Sequence, residues 1–206
     1  MKVLLINGSP HEEGSTYTAL IEICKVLENE GLETEIFQLG IDPIRGCTGC
    51  GGCRKTHRCV YNDDKVNEGI EKIREADALI IGSPVHYAAA SGHITSFMDR
   101  AFYAIGDLSL KPGAAIAISR RGGSSAALDQ LNKYFTIKSM PLVSSQYWNM
   151  VYGANASDVL KDEEGMQTMR VLGQNMAWLL RCIEAGKKAG VETPTYEKRA
   201  WTNFIR

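Results

Sequence analysis

The sequence predicts one α/β domain built as a doubly wound, five-stranded parallel sheet with helices on both faces. Three observations lead there. Short apolar runs alternate with amphipathic helical stretches along the whole chain. A length of 206 residues suits a single domain that buries about 70% of the surface its unfolded chain exposes. No repeat, low-complexity tract or linker divides the chain, so only residues 186–206 read as an extension of a body spanning 1–185.

Taken in order, residues 2–6 are an apolar strand closed by Asn7-Gly8-Ser9-Pro10. Ser15 or Thr16 caps a helix whose Leu20, Ile23, Cys24 and Leu27 share one face, ending near Gly31. Residues 33–39 alternate polar and apolar, as a strand near the sheet edge does. A cysteine segment follows, and Asn62-Asp63-Asp64 then opens a polar helix through Ile70 and Ile73. Residues 78–82 form a strand stopped by Ser83-Pro84. Residues 91–104 form a helix with Ile94, Phe97, Met98 and Ala101 on one side. Residues 114–119 are a fourth strand, followed by a helix through Leu128, Leu131 and Phe135, and residues 142–145 are read as the fifth. Met166, Met169, Leu172, Met176, Leu180 and Ile183 then recur at three- and four-residue steps, the stripe of a long helix.

Charge and hydropathy narrow the function. Twenty-three basic and 24 acidic residues leave a net charge of −1. That argues against a general electrostatic grip on nucleic acid or an anionic membrane. No apolar run approaches the roughly 20 residues of a membrane span, and the short apolar start does not resemble a secretory signal. The expectation is a soluble, cytoplasmic protein.

In such sheets, ligands bind beyond the C-terminal strand ends, where strand order reverses. Three loops lie there. The first carries Ser9, His11, Ser15 and Thr16 where a strand meets a helix N-terminus, an environment that favours an anion. It lacks a Gly-Lys-Ser/Thr ending and a Gly-x-Gly-x-x-Gly run, so a single phosphate suits it better than a triphosphate or dinucleotide. A capped turn without ligand is the alternative. The second loop offers Pro84, Val85, His86 and Tyr87, which suit the face and edge of a flat heterocycle or merely pack over the sheet end. His86 and Tyr87 are the candidates for a catalytic or ring-tuning role. The third, with Arg120, Arg121, Gly122 and Gly123, supplies donors at the rim or simply solvated charge.

Four of the six cysteines, Cys47, Cys50, Cys53 and Cys59, fall within 13 residues. A C-x2-C-x2-C run is a compact form of iron–sulfur ligation, and Cys59 is available as fourth thiolate. Gly46, Gly49, Gly51 and Gly52 let the backbone wrap a ligand, and Arg45, Arg54, Lys55 and Arg58 offset thiolate charge. Zinc on three cysteines with His57 or Cys59, a reversible disulfide, and no metal at all remain alternatives. Cys24 and Cys182 read as small hydrophobes.

Together these stretches resemble the flavodoxin-like NAD(P)H-dependent FMN reductases, and within them the iron–sulfur flavoproteins related to WrbA-type multimeric flavodoxins. The resemblance rests on Gly-Ser-Pro-x5-Ser-Thr at 8–16, Gly-Ser-Pro-Val at 82–85, Ser91-Gly92, Phe97-x-Asp99-Arg100 and Gly122-Gly123. It also rests on the cysteine run followed by Asp63-Asp64, and on Glu164-Gly165-Met166-Gln167-Thr168. His11 and His86 depart from the pattern, which often has Arg and Tyr at those positions. The resemblance implies strand order 2-1-3-4-5, with FMN phosphate on residues 9–16 and its ring against 84–87. It further implies a [4Fe–4S] cluster on the four cysteines, NAD(P)H as hydride donor, and a homodimer or homotetramer. The second acceptor would be a quinone, a flavin, a nitro or azo compound, or the cluster. Rival readings are an electron carrier without its own substrate, a cysteine-loop sensing module, and an FMN enzyme oxidising one metabolite. Tyr196, Trp201, Phe204 and Ile205 make the tail apolar enough to join an oligomer contact or fold back on its own domain.

Overall fold

The computed structural model describes residues 1–198 and 200–202. In chain order the elements are β1 Lys2–Asn7, α1 Ser15–Asn29, β2 Glu33–Gln38, α2 Cys53–Thr56 and α3 Val66–Glu75. Then come β3 Ala78–His86, β4 Ala89–Ala90, α4 Gly92–Ala104, β5 Gly113–Ser119 and α5 Ser124–Thr136. Last are β6 Met150–Tyr152, α6 Ala156–Val159 and α7 Glu163–Lys188.

The sheet order is β2-β1-β3-β5-β6, with all neighbours parallel and β4 paired only to β3. Without that two-residue arm the order is the expected 2-1-3-4-5. Because strand side chains alternate between faces, each buried strand feeds two cores. Leu4, Ile6, Leu79 and Ile81 pack with Phe97 of α4 and Phe135 of α5. Val3, Leu5, Ile80 and Ile116 pack with Leu20 of α1 and Met169 of α7. β2 lies at the sheet edge and is half buried, as its alternating sequence predicts. Among the described residues no helix is long and apolar enough to cross a membrane.

Three expectations need correction. Ser15 and Thr16 do not cap α1: Gly14 holds the N-cap position, with no side-chain cap bond. β3 does not stop at Ser83-Pro84 but runs to His86, then folds back as β4. Pro84 is tolerated because the last β1 rung is Asn7↔Gly82, so at Pro84, which pairs with Ile118, β3 has a neighbour on one side only.

The fifth strand is Met150–Tyr152, not residues 142–145. Residues 142 and 143 begin to pair with β5: Val143 N–H donates to Gly113 O at 2.9 Å. The chain then bulges away and returns at Asn149. Its buried side-chain amide donates to Ala115 O at 3.1 Å and Val143 O at 3.4 Å, while its own carbonyl accepts from Ala117 N–H at 3.0 Å. Asn149 therefore bridges a gap in the ladder that an apolar residue would leave open. Asn149→Ala is expected to cost about 1–3 kcal/mol of stability. Urea unfolding should show a lower midpoint with an unchanged slope; an unchanged midpoint would show that the gap needs no bridge.

Candidate functional site

The three loops singled out from sequence meet at the C-terminal ends of β1, β3 and β5. They approach so closely because small residues stand at the junctions. Gly8 N–H donates to Gly82 O at 2.9 Å, and a Cβ on Gly8 would sit 2.8 Å from that of Ile94. A Cβ on Gly82 would lie 2.9 Å from Thr16 Cγ2. Gly123, at φ +92, packs against the hairpin, where a Cβ would come within 2.8 Å of Val85 Cγ1.

The first loop is shaped by residues that pattern alone did not single out. The fully buried Asn7 accepts from Ser9 N–H at 3.0 Å through Oδ1, and Gln38 Nε2 donates to Ser9 O at 2.8 Å. Ser91 caps α4 by accepting from Ile94 N–H at 3.3 Å and also donates to Gly8 O at 3.0 Å, tying α4 to this loop. Their signal was weak: Asn7 and Ser91 are common turn and cap residues, and the partners of Gln38 and Ser91 lie 29 and 83 residues away in sequence. Ser9 Oγ accepts from His11 N–H at 3.1 Å, which leaves its proton available to donate to a ligand. His11 is exposed.

Thr16 is different. It is 1% exposed, yet its hydroxyl has no hydrogen-bond partner. It stands in the first turn of α1, where the first backbone bond closes only at Thr18 N–H to Gly14 O. The N–H groups of Ser15, Thr16 and Tyr17 therefore point out of the helix beside that hydroxyl. A buried orphan hydroxyl beside a positive helix end fits a phosphate.

At the second loop, Pro84 and Val85 are half buried, and His86 and Tyr87 are exposed at the hairpin tip. Ala88 N–H bonds back to His86 O at 2.8 Å, and Tyr87 sits between them at φ +61. This three-residue turn is strained for a non-glycine residue. In the third loop Arg120, Arg121 and Gly122 are exposed, while Ser119 and Ser124 share a 2.7 Å hydroxyl bond beneath. Beside it, Arg121, Gly123, Tyr147, Trp148, Glu164 and Thr168 contribute to the walls of a cavity of about 390 Å³.

The four clustered cysteines line one cavity of about 340 Å³ with Tyr61, Arg100 and Tyr103. Cys47 and Cys50 are exposed, Cys53 and Cys59 half buried, and all six cysteines are free. Among the described residues no three His, Cys, Asp or Glu side chains converge on a single metal ion. Gly52 is needed where it is, since a Cβ there would run into Val60. Of the four expected compensating cations, Arg45 pairs with Asp63 at 3.3 Å and Arg58 with Glu71 at 2.5 Å, while Arg54 lines the cysteine cavity. The cation hydrogen-bonded to a cysteine is Arg100 of α4, whose Nε donates to Cys59 Sγ at 3.2 Å. Burial works against its charge, and the bonds to Asp64 and Cys59 more than offset that, holding its pKa above the ordinary value. Cys59 is also gripped through its backbone, because Asn67 accepts its N–H at 2.8 Å and donates to its carbonyl at 2.9 Å.

Residues 1–155 match the NADPH-dependent FMN reductase family. The chain belongs to that family. An iron-sulfur flavoprotein of Methanocaldococcus jannaschii is 35% identical over 193 residues, covering 89% of this chain and 100% of its own. Another, from Methanosarcina thermophila, is 26% identical and covers 91% of this chain and 99% of its own. The fold is shared with RosB, solved with a bound riboflavin-5'-phosphate derivative, at TM-score 0.66 and 15% identity over 100% of this chain and 93% of RosB. It is shared too with a WrbA-like flavodoxin of Agrobacterium tumefaciens, at TM-score 0.59 and 16% identity over 88% and 96% of the two chains. This FMN reductase is thus a flavin-dependent oxidoreductase of the NAD(P)H-dependent type, and FMN is its flavin.

One titratable group bears on the site's stability. His93, in the first turn of α4, has a buried Nε2 without partner; burial lowers its pKa below the usual 6.5, with Asp42 pulling weakly the other way. Below about pH 6.5 the unfolded reductase binds a proton that the folded one resists, so stability falls on acidification until the folded value is passed. Urea midpoints at about pH 7.5 and about pH 5.5 should converge in His93→Gln relative to the unsubstituted protein. Equal pH slopes in the two proteins would remove His93 from this account.

Proposed function

We propose that the three loops hold FMN, that NADPH or NADH delivers hydride to it, and that the electrons leave through a [4Fe–4S] cluster on Cys47, Cys50, Cys53 and Cys59. The final acceptor is a quinone, a flavin, or a nitro or azo compound. The observation that carries the flavin site is the buried, unpartnered Thr16 hydroxyl at the α1 N-terminus. When bound, FMN supplies two-electron acceptance from a nicotinamide and one-electron release. Thr16, Ser15 and the free N–H groups of the first turn hold the phosphate, and Ser9 adds its hydroxyl proton. Pro84 and Val85 flank the ring, Gly122 and Gly123 allow close backbone approach, and Arg120 stands at the rim. His86 and Tyr87, projecting from the hairpin tip, orient the nicotinamide and then the acceptor. No side chain is needed as nucleophile or base.

The cluster reading is supported by the four cysteines lining one cavity. Four thiolates are the ligand set that an iron–sulfur cluster requires. Self-association is also proposed, since Tyr87, Tyr103, Trp178, Tyr196 and Trp201 are exposed aromatic surface. Phe204 and Ile205, invoked from sequence for the same contact, lie outside the described residues. Light scattering should find a dimer or tetramer; a monomer at micromolar concentration would end that part.

Thr16→Val should weaken FMN binding by about 1.5–3 kcal/mol, roughly 10- to 150-fold in Kd, read by quenching of flavin fluorescence. Unchanged affinity would move the phosphate elsewhere. For the cluster, protein prepared without air should contain about four iron and four sulfide per chain. Cys50→Ser should lose the iron and keep the flavin. A preparation with FMN and NADPH oxidation but neither iron nor sulfide leaves a plain FMN reductase. FMN without nicotinamide oxidation leaves an electron carrier.

A further inference from the structure

Arg100 is the most constrained charged residue near the cysteines. It is 2% exposed, and its ion-pair partner Asp64 has a side chain only 4% exposed. Every arm of its guanidinium is occupied by the cysteine segment or the residues just after it. Nε donates to Cys59 Sγ at 3.2 Å, Nη1 to Arg45 O at 3.3 Å and to the Asp64 carboxylate, and Nη2 to Tyr61 O at 3.3 Å. The segment from Arg45 to Tyr61 is thus closed at both ends by one side chain from α4.

A structural clamp alone does not need this arrangement. Arg45 O and Tyr61 O are backbone acceptors that any buried donor satisfies, and Asp64 satisfies the charge. The Nε–H aimed at sulfur is an additional contact, made to one cysteine of the four. Hydrogen bonds to sulfur and nearby net charge are the protein's main controls on a cluster's reduction potential. At 2% exposure the guanidinium charge is little screened by water or salt.

Resting on the cluster reading above, we propose that Arg100 is a positioning residue that sets the cluster's potential. Through Nε–H on Cys59 it stabilises the added negative charge when one electron enters, so the reduced form is favoured; no covalent bond of the chain forms or breaks and no proton moves. Asp64 opposes it. Its carboxylate keeps Arg100 charged and oriented, and its negative charge disfavours the same electron. The two members of one buried pair therefore act with opposite sign, which damage to the loop would not do.

The test is an anaerobic redox titration of the holoprotein, with the reduced cluster read by electron paramagnetic resonance and FMN by its visible spectrum. Iron and sulfide are assayed alongside. Arg100→Gln should lower the cluster's reduction equilibrium constant at least tenfold, equivalent to 59 mV for one electron. Arg100→Lys, which keeps a charge but loses the directed Nε–H, should move it the same way by less. Asp64→Asn should move it the opposite way, and the FMN potential should stay put in all three. Should Arg100→Gln fail to fold, the opposed shifts of Arg100→Lys and Asp64→Asn carry the test. Shifts of the same sign, or none above about threefold, would overturn the role of Arg100 while leaving the cluster in place. Unsubstituted protein without iron would overturn the cluster reading itself and this role with it.

Discussion

Everything at the candidate site depends on how closely β1 and β3 run where β1 ends. Their last shared rung is Asn7↔Gly82, and just beyond it Gly8 N–H bonds Gly82 O at 2.9 Å with no side chain from either glycine between them. From this point the chain after β1 leaves through α1 toward β2, and the chain after β3 turns back through β4 into α4. The divergence opens the crevice. The glycines bring Thr16 against β3 and Ile94 against β1, so the helix end that receives an anion stands directly over the strand switch. A methyl group on Gly8 would press on Ile94 and Gly82 O, and one on Gly82 would press on Thr16 and Leu20 of α1, so the crevice would lose its floor.

The sheet was largely legible in the sequence wherever a strand is buried on both faces. Residues 3–6, 78–81 and 114–118 are continuous apolar runs because both layers of helices need their side chains. The long stripe from Met166 to Leu180 was legible for the same reason. What escaped were places where pairing, not burial, decides. Ser83-Pro84 looks like a stop, yet at that height β1 has ended and a missing N–H costs little. Residues 142–145 look like a strand, yet the ladder breaks after residue 143 and is carried by a polar side chain, Asn149.

The site was legible in outline and not in detail. Its loops could be named because strand ends and glycines mark them. The roles of Asn7 and Ser91, read in the sequence only as parts of a turn and a motif, and the part played by Gln38 could not, since their bonds form only on folding. The cysteine segment shows the same limit. Spacing singles out the four thiols, and nearby arginines seemed to supply the compensating charge. In the fold Arg45 and Arg58 turn to carboxylates, and the cation that reaches a sulfur comes from a helix 41 residues further along the chain.

The first loop also depends on a helix that never touches it in sequence, α7. α7 packs along α1 so tightly that a Cβ on Gly173 would stand 3.0 Å from Val26 Cβ, and Leu20, Ile23 and Leu27 of α1 share one core with Met169, Leu172 and Met176 of α7. The helix behind the first loop is therefore held by a segment distant from it in sequence, and any change that loosens α7 also unseats the first turn of α1.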